Sequence, residues 1–342
     1  MNHTCIDLRS DTTTRPVPEM RKQMAEAEVG DDVYREDPTA NKLEEKAAQI
    51  TGKEAALWVS SGSMGNLIPL YIHGGRGHEV FTHRESHIIL HETGAAAAIA
   101  GVLPIGLDGE RGILDHKTIE KHLHPEDYTI AATSLIEIEN TMNGTCYPIE
   151  TLKDIRTSAD THHLKIHMDG ARLFNAVVAQ QIPAHEICQY ADTVSFCLSK
   201  GLGCPVGSML CGSRGFISEA LKIRKMIGGG MRQIGILAAA GIYALDHHID
   251  RLQEDHEHAQ QIAKALAAVS WAGIEPQQVE TNIIFFKTID TPAQQVVNLL
   301  ADKDILCFAT GAHTIRMVTH LDISEDDTAY IIKTIQELII QP

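Results

Sequence analysis

The stretch Cys197-Leu198-Ser199-Lys200-Gly201-Leu202-Gly203 decides how the rest of the chain is read. It follows directly on Thr193-Val194-Ser195-Phe196, a short apolar and β-branched run that reads as a buried strand. A lysine just past the end of such a strand, flanked by glycine, stands where α/β sheets bind their ligands. Partly withdrawn from water, its amine can form a Schiff base. An isolated loop lysine is ordinarily a solvated surface group, so the reading needs support from elsewhere.

Outward from that stretch, short apolar runs alternate with longer segments of helical period. This predicts an α/β fold with a mainly parallel sheet. Ala55–Ser60, Glu79–Thr82, Ile130–Ile138 and Leu164–Asp169 read as further strands. The first is followed by the small-residue turn Ser61-Gly62-Ser63-Met64-Gly65 and a helix expected to begin near Asn66. A charged helical segment runs from Asp246 to Val269, and after it the pattern changes. Asn282–Phe286 and Thr314–Val318 read as strands, Thr291–Asp302 and Glu325–Ile340 as helices. The expected organisation is a large domain over residues 1–245 and a smaller C-terminal α+β domain over 246–342. The first forty residues, polar and turn-rich, are expected to wrap around the large domain.

Asp169 ends one predicted strand, in Met168-Asp169-Gly170-Ala171-Arg172. A carboxylate there can cap the following helix or keep the ring nitrogen of pyridoxal phosphate protonated, which makes the ring an electron sink. Ser61, Gly62 and Ser63, between strand and helix, offer backbone N–H groups and close approach for a phosphate. Each signal is weak alone. Their order along the chain, phosphate turn, then Asp169, then Lys200, favours a pyridoxal-phosphate enzyme. A dinucleotide-binding dehydrogenase fits poorly, because Val206 stands where the fingerprint begun by Gly201 and Gly203 needs its third glycine. His83, His87 and His91 are spaced by four, but no third and fourth metal ligand follow from spacing, so no metal is expected. His247, His248, His256 and His258 sit in the charged segment and read as a solvated face.

Several strings resemble the low-specificity L-threonine aldolases: IDLRSDTTTRP (6–16), GDDVY (30–34), EDPT (36–39), SSGSMGN (60–66), HETG (91–94), HMDGARLFNA (167–176), CLSKGLGCPVGS (197–208), GGGMRQ (228–233) and VTHLD (318–322). They span nearly the whole chain. The resemblance implies the aspartate-aminotransferase-like fold, pyridoxal 5'-phosphate as cofactor, and cleavage of L-threonine, L-allo-threonine or related β-hydroxy amino acids to glycine and an aldehyde. A β-eliminating lyase of the same fold is the alternative. It further implies Lys200 as the Schiff-base lysine, Asp169 as partner of the ring nitrogen, and Ser61, Gly62 and Ser63 as the phosphate turn. His87 would stack on the ring beside the substrate hydroxyl, and Ser10, Arg172 and Arg316 would hold the substrate carboxylate. Lys225 and Arg232 would reach the cofactor phosphate of a neighbouring subunit in a homotetramer of dimers with shared sites. Two positions depart from the family pattern: Met142 replaces a histidine linked to the β-hydroxyl, and Arg35 replaces a glycine near the expected substrate entry. Methionine at 142 is expected to favour a larger or aromatic β-substituent, and the cation at 35 to alter access.

Composition agrees with a soluble amino acid enzyme. The chain has 342 residues, 44% hydrophobic and 22% charged, with a formal net charge of −16. A spread acidic balance argues against nucleic acid or anionic membrane partners. No apolar run reaches the length of a membrane span, and Met1 to Asp11 lacks the pattern of a signal peptide. Seven cysteines without a C-x-x-C pair read as reduced thiols, which makes the cytoplasm the expected location. Cys197, Cys204 and Cys211 are expected to be packing residues near the cofactor crevice.

Overall fold

The structure is a computed structural model that describes residues 5–125 and 127–339. The first four residues, and Ile340 at the expected end of the last helix, lie outside the described residues. Thirteen strands occur in it: β1 (Ile6–Asp7), β2 (Ala55–Val59), β3 (Glu79–His83), β4 (Leu103–Leu107), β5 (Thr133–Glu139), β6 (Lys165–Asp169), β7 (Thr193–Cys197), β8 (Ser208–Gly212), β9 (Ala272–Gly273), β10 (Ile283–Thr288), β11 (Ile305–Leu306), β12 (Phe308–Gly311) and β13 (Thr314–Val318). The large sheet has seven strands in the order β2-β8-β7-β6-β5-β3-β4. Only β8 runs against its neighbours, β2 and β7; the other pairs are parallel. The expected mainly parallel sheet is therefore present, and strands such as β7 are buried along their full length, as sheets covered on both faces require.

A second core draws on β10 and β13, on the helices Leu252–Ala267, Ala293–Ala301 and Glu325–Glu337, and on Ile6 and Leu8. Its sheet has the order β12-β13-β10-β9, while β1 pairs in parallel with β11. The start of the chain thus packs into the C-terminal core through Ile6 and Leu8, while Met20 and Ala40 of the first forty residues join the core of the large sheet. Pro18–Ala25 and Pro38–Thr51, in the supposedly turn-rich N-terminal region, are helices; both have proline in the first turn, and Asp37 caps the second through the Ala40 N–H at 2.9 Å. The expected division near residue 245 falls in the last turn of the helix Gly235–His247.

Three expectations are corrected here. The segment Asp246–Val269 is not one helix: Gly235–His247 ends before it is half begun, and Leu252–Ala267 starts anew after Arg251. The break turns His248 inward, 5% exposed, where its Nδ1 donates to the Leu202 carbonyl at 2.8 Å. His256 is likewise buried, at 6%, and burial holds its imidazole down at about 4. Neither belongs to a solvated face; only His247 of the cluster is exposed. The helix expected near Asn66 begins at Gly62, because Ser61 caps it by accepting the Met64 N–H at 3.2 Å. Among the described residues no helix is long and apolar enough to cross a membrane.

Backbone hydrogen bonds hold the lysine loop at both ends, beside the His248 bond to Leu202. The Leu198 N–H donates to the Gly207 carbonyl at 3.0 Å and the Gly203 N–H to the Lys200 carbonyl at 2.8 Å. Gly207 has φ +101, and a Cβ there would stand 2.6 Å from the Trp58 Nε1. Gly207→Ala combines backbone strain with overpacking and is expected to lower folding stability by about 3 kcal/mol. Urea unfolding of the variant beside the wild type measures it.

Candidate active site

Strands β2, β3, β5, β6 and β7 deliver the chemistry, because their C-terminal ends share one edge of the sheet. Glu139 and Asp169 close β5 and β6, and past the ends of β2, β3 and β7 lie Ser61, His87 and Lys200. At Ser61 the helix Gly62–His73 begins, and the Gly62 and Ser63 N–H groups have no acceptor within the helix. A Cβ on Gly62 would meet the Cys197 Sγ at 2.9 Å, so glycine lets this turn lie flat against the end of β7.

Asp169 is 4% exposed and faces Glu139 across the β5–β6 register. Its Oδ1 accepts the Ala171 N–H at 2.9 Å and its Oδ2 accepts Asn66 Nδ2 at 2.7 Å. Asp169 thus closes the turn ahead of the helix Leu173–Gln180 instead of capping it, since that helix starts after Arg172 without a side-chain cap, and each oxygen keeps a further lone pair for a second donor. Asn66 cannot flip: its Oδ1 accepts from Ser195 Oγ at 3.0 Å and faces His167 Nε2 at 3.2 Å. Burial holds His167 down at about 4, so it is the neutral ring, donating through Nε2 and accepting from Thr193 through Nδ1.

The Asn66 amide also donates to Glu92 Oε1 at 3.0 Å, and the same oxygen lies 2.8 Å from His87 Nδ1. A carboxylate at Nδ1 places the proton there and leaves His87 Nε2 free to accept. The bond to Glu92 raises His87 above its ordinary value; burial and the Lys200 charge oppose this and Asp169 adds to it. His83 Nδ1 meanwhile accepts the Glu85 N–H, and the His91 ring lies against His87 at 5.4 Å, so the three histidines do not converge on one point.

The carboxylates of Glu137, Glu139 and Asp169 lie within 4.8 Å of one another. Burial first, then the charge of Asp169, pushes Glu139 up to about 7, against the opposing pull of the His87 N–H, the His87 charge and Lys200. Glu137, bonded to Thr82, is raised further by burial and by its two acidic neighbours. This corner of the site therefore binds protons more readily than separate, solvated carboxylates would.

Arg172 and Arg316 meet from opposite cores. Arg172 is gripped by Asp11, its Nε and Nη2 donating to Oδ2 and Oδ1 at 2.7 and 2.6 Å. Arg316, on β13, donates through Nη2 to the Arg9 carbonyl at 3.1 Å, while its Nε is buried without a partner. No carboxylate pairs with it among the described residues. Burial and then the Arg172 charge lower Arg316, with Asp11 opposing. Lys200 is close enough that its charge helps to lower Asp11 and Glu139. A cleft of about 930 Å³ opens beside this group, with His91, Arg111 and Asn143 on one wall and Phe285, Thr314 and Arg316 on the other.

The beta-eliminating lyase family matches residues 7–289. The low-specificity L-threonine aldolase of Escherichia coli K12 is 43% identical over 327 residues, which cover 95% of this chain and 97% of that one. The chain belongs to the beta-eliminating lyase family, among its low-specificity L-threonine aldolases. An Arabidopsis thaliana relative, probable low-specificity L-threonine aldolase 2, is 42% identical over 97% of each chain. The solved structure of Leishmania major threonine aldolase superposes with a TM-score of 0.82 at 21% identity, covering 97% of this chain and 98% of that one. At that identity the likeness bears on the fold.

Against the strings that pointed to the aldolase family, the structure gathers Lys200, Asp169, His87, Arg172 and Arg316, with Ser10 next to Asp11 as cap of its short helical turn. Lys225 and Arg232 do not join them within one chain. Both are exposed, and Arg232 pairs with Asp31 at 2.9 Å and lies over the Tyr34 ring. Met142 is 1% exposed, paired through its backbone with Thr145 and packed against Gly112, so it fills the interior and does not line the cleft. Arg35, expected to alter access, is turned inward onto Glu44 and onto Asp32 at 3.2 Å. Glu44 would otherwise be a buried carboxylate with only the Trp58 N–H, and that explains the side chain's direction. Cys197, Cys204 and Cys211 are all buried, and burial pushes the Cys211 thiol up to about 12. Asp11, Asn66, Glu92 and Glu139 were not singled out from sequence, although the first three stand inside the quoted aldolase-like strings.

Proposed function

We propose that this protein is a pyridoxal-phosphate-dependent aldehyde-lyase that cleaves L-threonine, L-allo-threonine or related β-hydroxy amino acids to glycine and an aldehyde. The observation that carries this reading is Arg316. A half-buried guanidinium without a carboxylate, beside a second arginine and within the electrostatic reach of Asp11, is a site built for an incoming anion. Lys200, whose charge reaches the Asp11 that also acts on Arg316, makes the amino acid carboxylate the fitting one.

The residues present fit the cofactor. Its phosphate suits the Ser61-Gly62-Ser63 turn, with free N–H groups and no Cβ on Gly62; Lys200 would hold it covalently, and Asp169 has lone pairs for the ring nitrogen. When bound, pyridoxal phosphate supplies an electron sink for the pair released from the Cα–Cβ bond. Ser10, Arg172 and Arg316 hold the carboxylate and so turn that bond across the plane of the ring. His87 Nε2 takes the proton from the β-hydroxyl as the bond breaks. Exposed Lys225 and Arg232, flanked by exposed Met226, Met231 and Ile236, support a subunit contact that brings them to a neighbour's phosphate turn, in a homotetramer of dimers. Seven free cysteines support a reducing compartment, the cytoplasm.

A base at His87 sets a pH prediction. Activity needs the neutral ring, so kcat/KM rises with pH through a His87 value above the ordinary one. Glu92→Gln removes the partner that favours the charged ring, and the acidic limb then moves to lower pH; a limb that stays or moves up contradicts the assignment. Arg316→Ala is expected to raise KM for L-threonine by about 10- to 100-fold. The reaction itself is tested with L-phenylserine and the holoenzyme. Release of benzaldehyde is expected, and its absence together with inertness toward L-threonine would sink the reading.

A further inference from the structure

Arg172 presents five N–H donors in a rigid fork, and in this structure two of them are already taken. Asp11 occupies the edge formed by Nε and Nη2 with both of its oxygens, at 2.7 and 2.6 Å. What remains is the end of the fork, Nη1 and one hydrogen of Nη2. The direction in which Arg172 can offer a bidentate grip is therefore set by Asp11, whose side chain is fully buried.

Asp11 is itself held by parts of the chain that belong to different cores. It opens a short helical turn capped by Ser10, next to Ile6 and Leu8 in the C-terminal core. Asn282, just ahead of β10, reaches its Oδ2 with a long bond of 3.5 Å and donates to the Thr319 carbonyl at 3.0 Å. The Asn282 Oδ1 accepts Asn175 Nδ2 at 3.2 Å, and that amide also faces His256 Nε2 at 3.2 Å. Asn175 lies on the helix that Arg172 begins. A closed circuit results: Arg172 to Asp11, Asp11 to Asn282, Asn282 to Asn175, and back along the helix to Arg172. It crosses from the large sheet to the C-terminal core at the place where Arg172 and Arg316 approach each other. Arg316, without a carboxylate of its own, then faces a guanidinium whose orientation is fixed.

We propose that Asp11 is the positioning residue of the carboxylate site: it aims the free end of the Arg172 fork at the substrate and ties that aim to the C-terminal core through Asn282 and Asn175. This rests on the carboxylate site proposed above. Asp11 does not touch the reacting atoms; it acts through Arg172. The circuit also accounts for the burial of Asn175, Asn282 and a neutral His256, none of which the reaction uses.

The test compares two ligands of the holoenzyme, glycine and glycinamide, by the change each makes in cofactor absorption. They share the amine and differ in the carboxylate. In Asp11→Asn, which keeps the size and loses the charge, the Kd for glycine is expected to rise about 10- to 100-fold and that for glycinamide less than about 3-fold. Asn282→Ala, a milder change, is expected to weaken glycine binding about 3- to 10-fold with the same selectivity, and it serves if Asp11→Asn does not fold. Equal losses for the two ligands, or an unchanged Kd for glycine, overturn the role of Asp11. A wild-type holoenzyme that releases no aldehyde from any β-hydroxy amino acid contradicts the reaction instead, and leaves the two-ligand comparison to judge Asp11 separately.

Discussion

Replacing Lys200 by alanine is expected to lower aldehyde release by about 10⁴-fold or more. The loop that carries it is built to place one amine. Gly203 bonds back to the Lys200 carbonyl, Leu198 is pinned to Gly207, and His248 donates to Leu202, so the loop has little freedom to bring another group into its place. The charge of Lys200 reaches Asp11, His87 and Glu139, which puts it at the centre of the polar cluster. The substitution removes no core packing, because Lys200 is only partly buried. Its melting temperature should stay near that of the wild type while turnover collapses. A Lys200→Ala protein that cleaves substrate at nearly the wild-type rate contradicts the scheme.

The second large effect is expected at Asp169. Asp169→Asn retains an oxygen for the Ala171 N–H but loses the charge that would face the ring nitrogen, and a loss of about 10²- to 10³-fold in kcat follows. The charge also acts on its neighbours. Glu139 stands at about 7 because of burial and then Asp169, and Glu137 is raised partly by the same carboxylate. Neutral asparagine relieves both, so Glu139 should ionise at lower pH in the variant, a shift readable by carbon-detected NMR of labelled glutamate. A variant with wild-type kcat, or with Glu139 unmoved, would remove Asp169 from the role given to it.

The parts of the fold legible in the sequence are those whose residues need no partner to be understood. β5, β6 and β7 are buried on both faces and read as apolar runs between turns. β4 escapes notice because it is the edge strand and contains Pro104 and Gly106, both signals against a strand. The helix at Gly62 is masked by its glycines, poor helix formers that are needed here so that Cys197 and Ser195 can approach. His248 and His256 look like part of a solvated face because Asp250, Glu254 and Glu257 around them do face solvent, while the two imidazoles turn inward at and after the break between helices.

The same rule divides the site. Lys200 and Asp169 were legible because a strand end alone gives them a place. Asp11, Asn66 and Glu92 take their meaning from contacts across more than one element, and no spacing along the chain announces such contacts. Glu137 and Glu139 could have been found: two carboxylates at alternate positions of a strand, interleaved with Ile136 and Ile138, share one face. Arg35 shows the reverse error, a cation near an expected entrance that is claimed instead by the buried Glu44.

The most direct test of the account is the product balance of the holoenzyme with L-threonine and L-allo-threonine. Glycine and acetaldehyde released in equal amounts, and lost together in Lys200→Ala, are the predicted result. Ammonia with a keto acid in place of glycine and aldehyde would contradict it, and would assign this site to β-elimination.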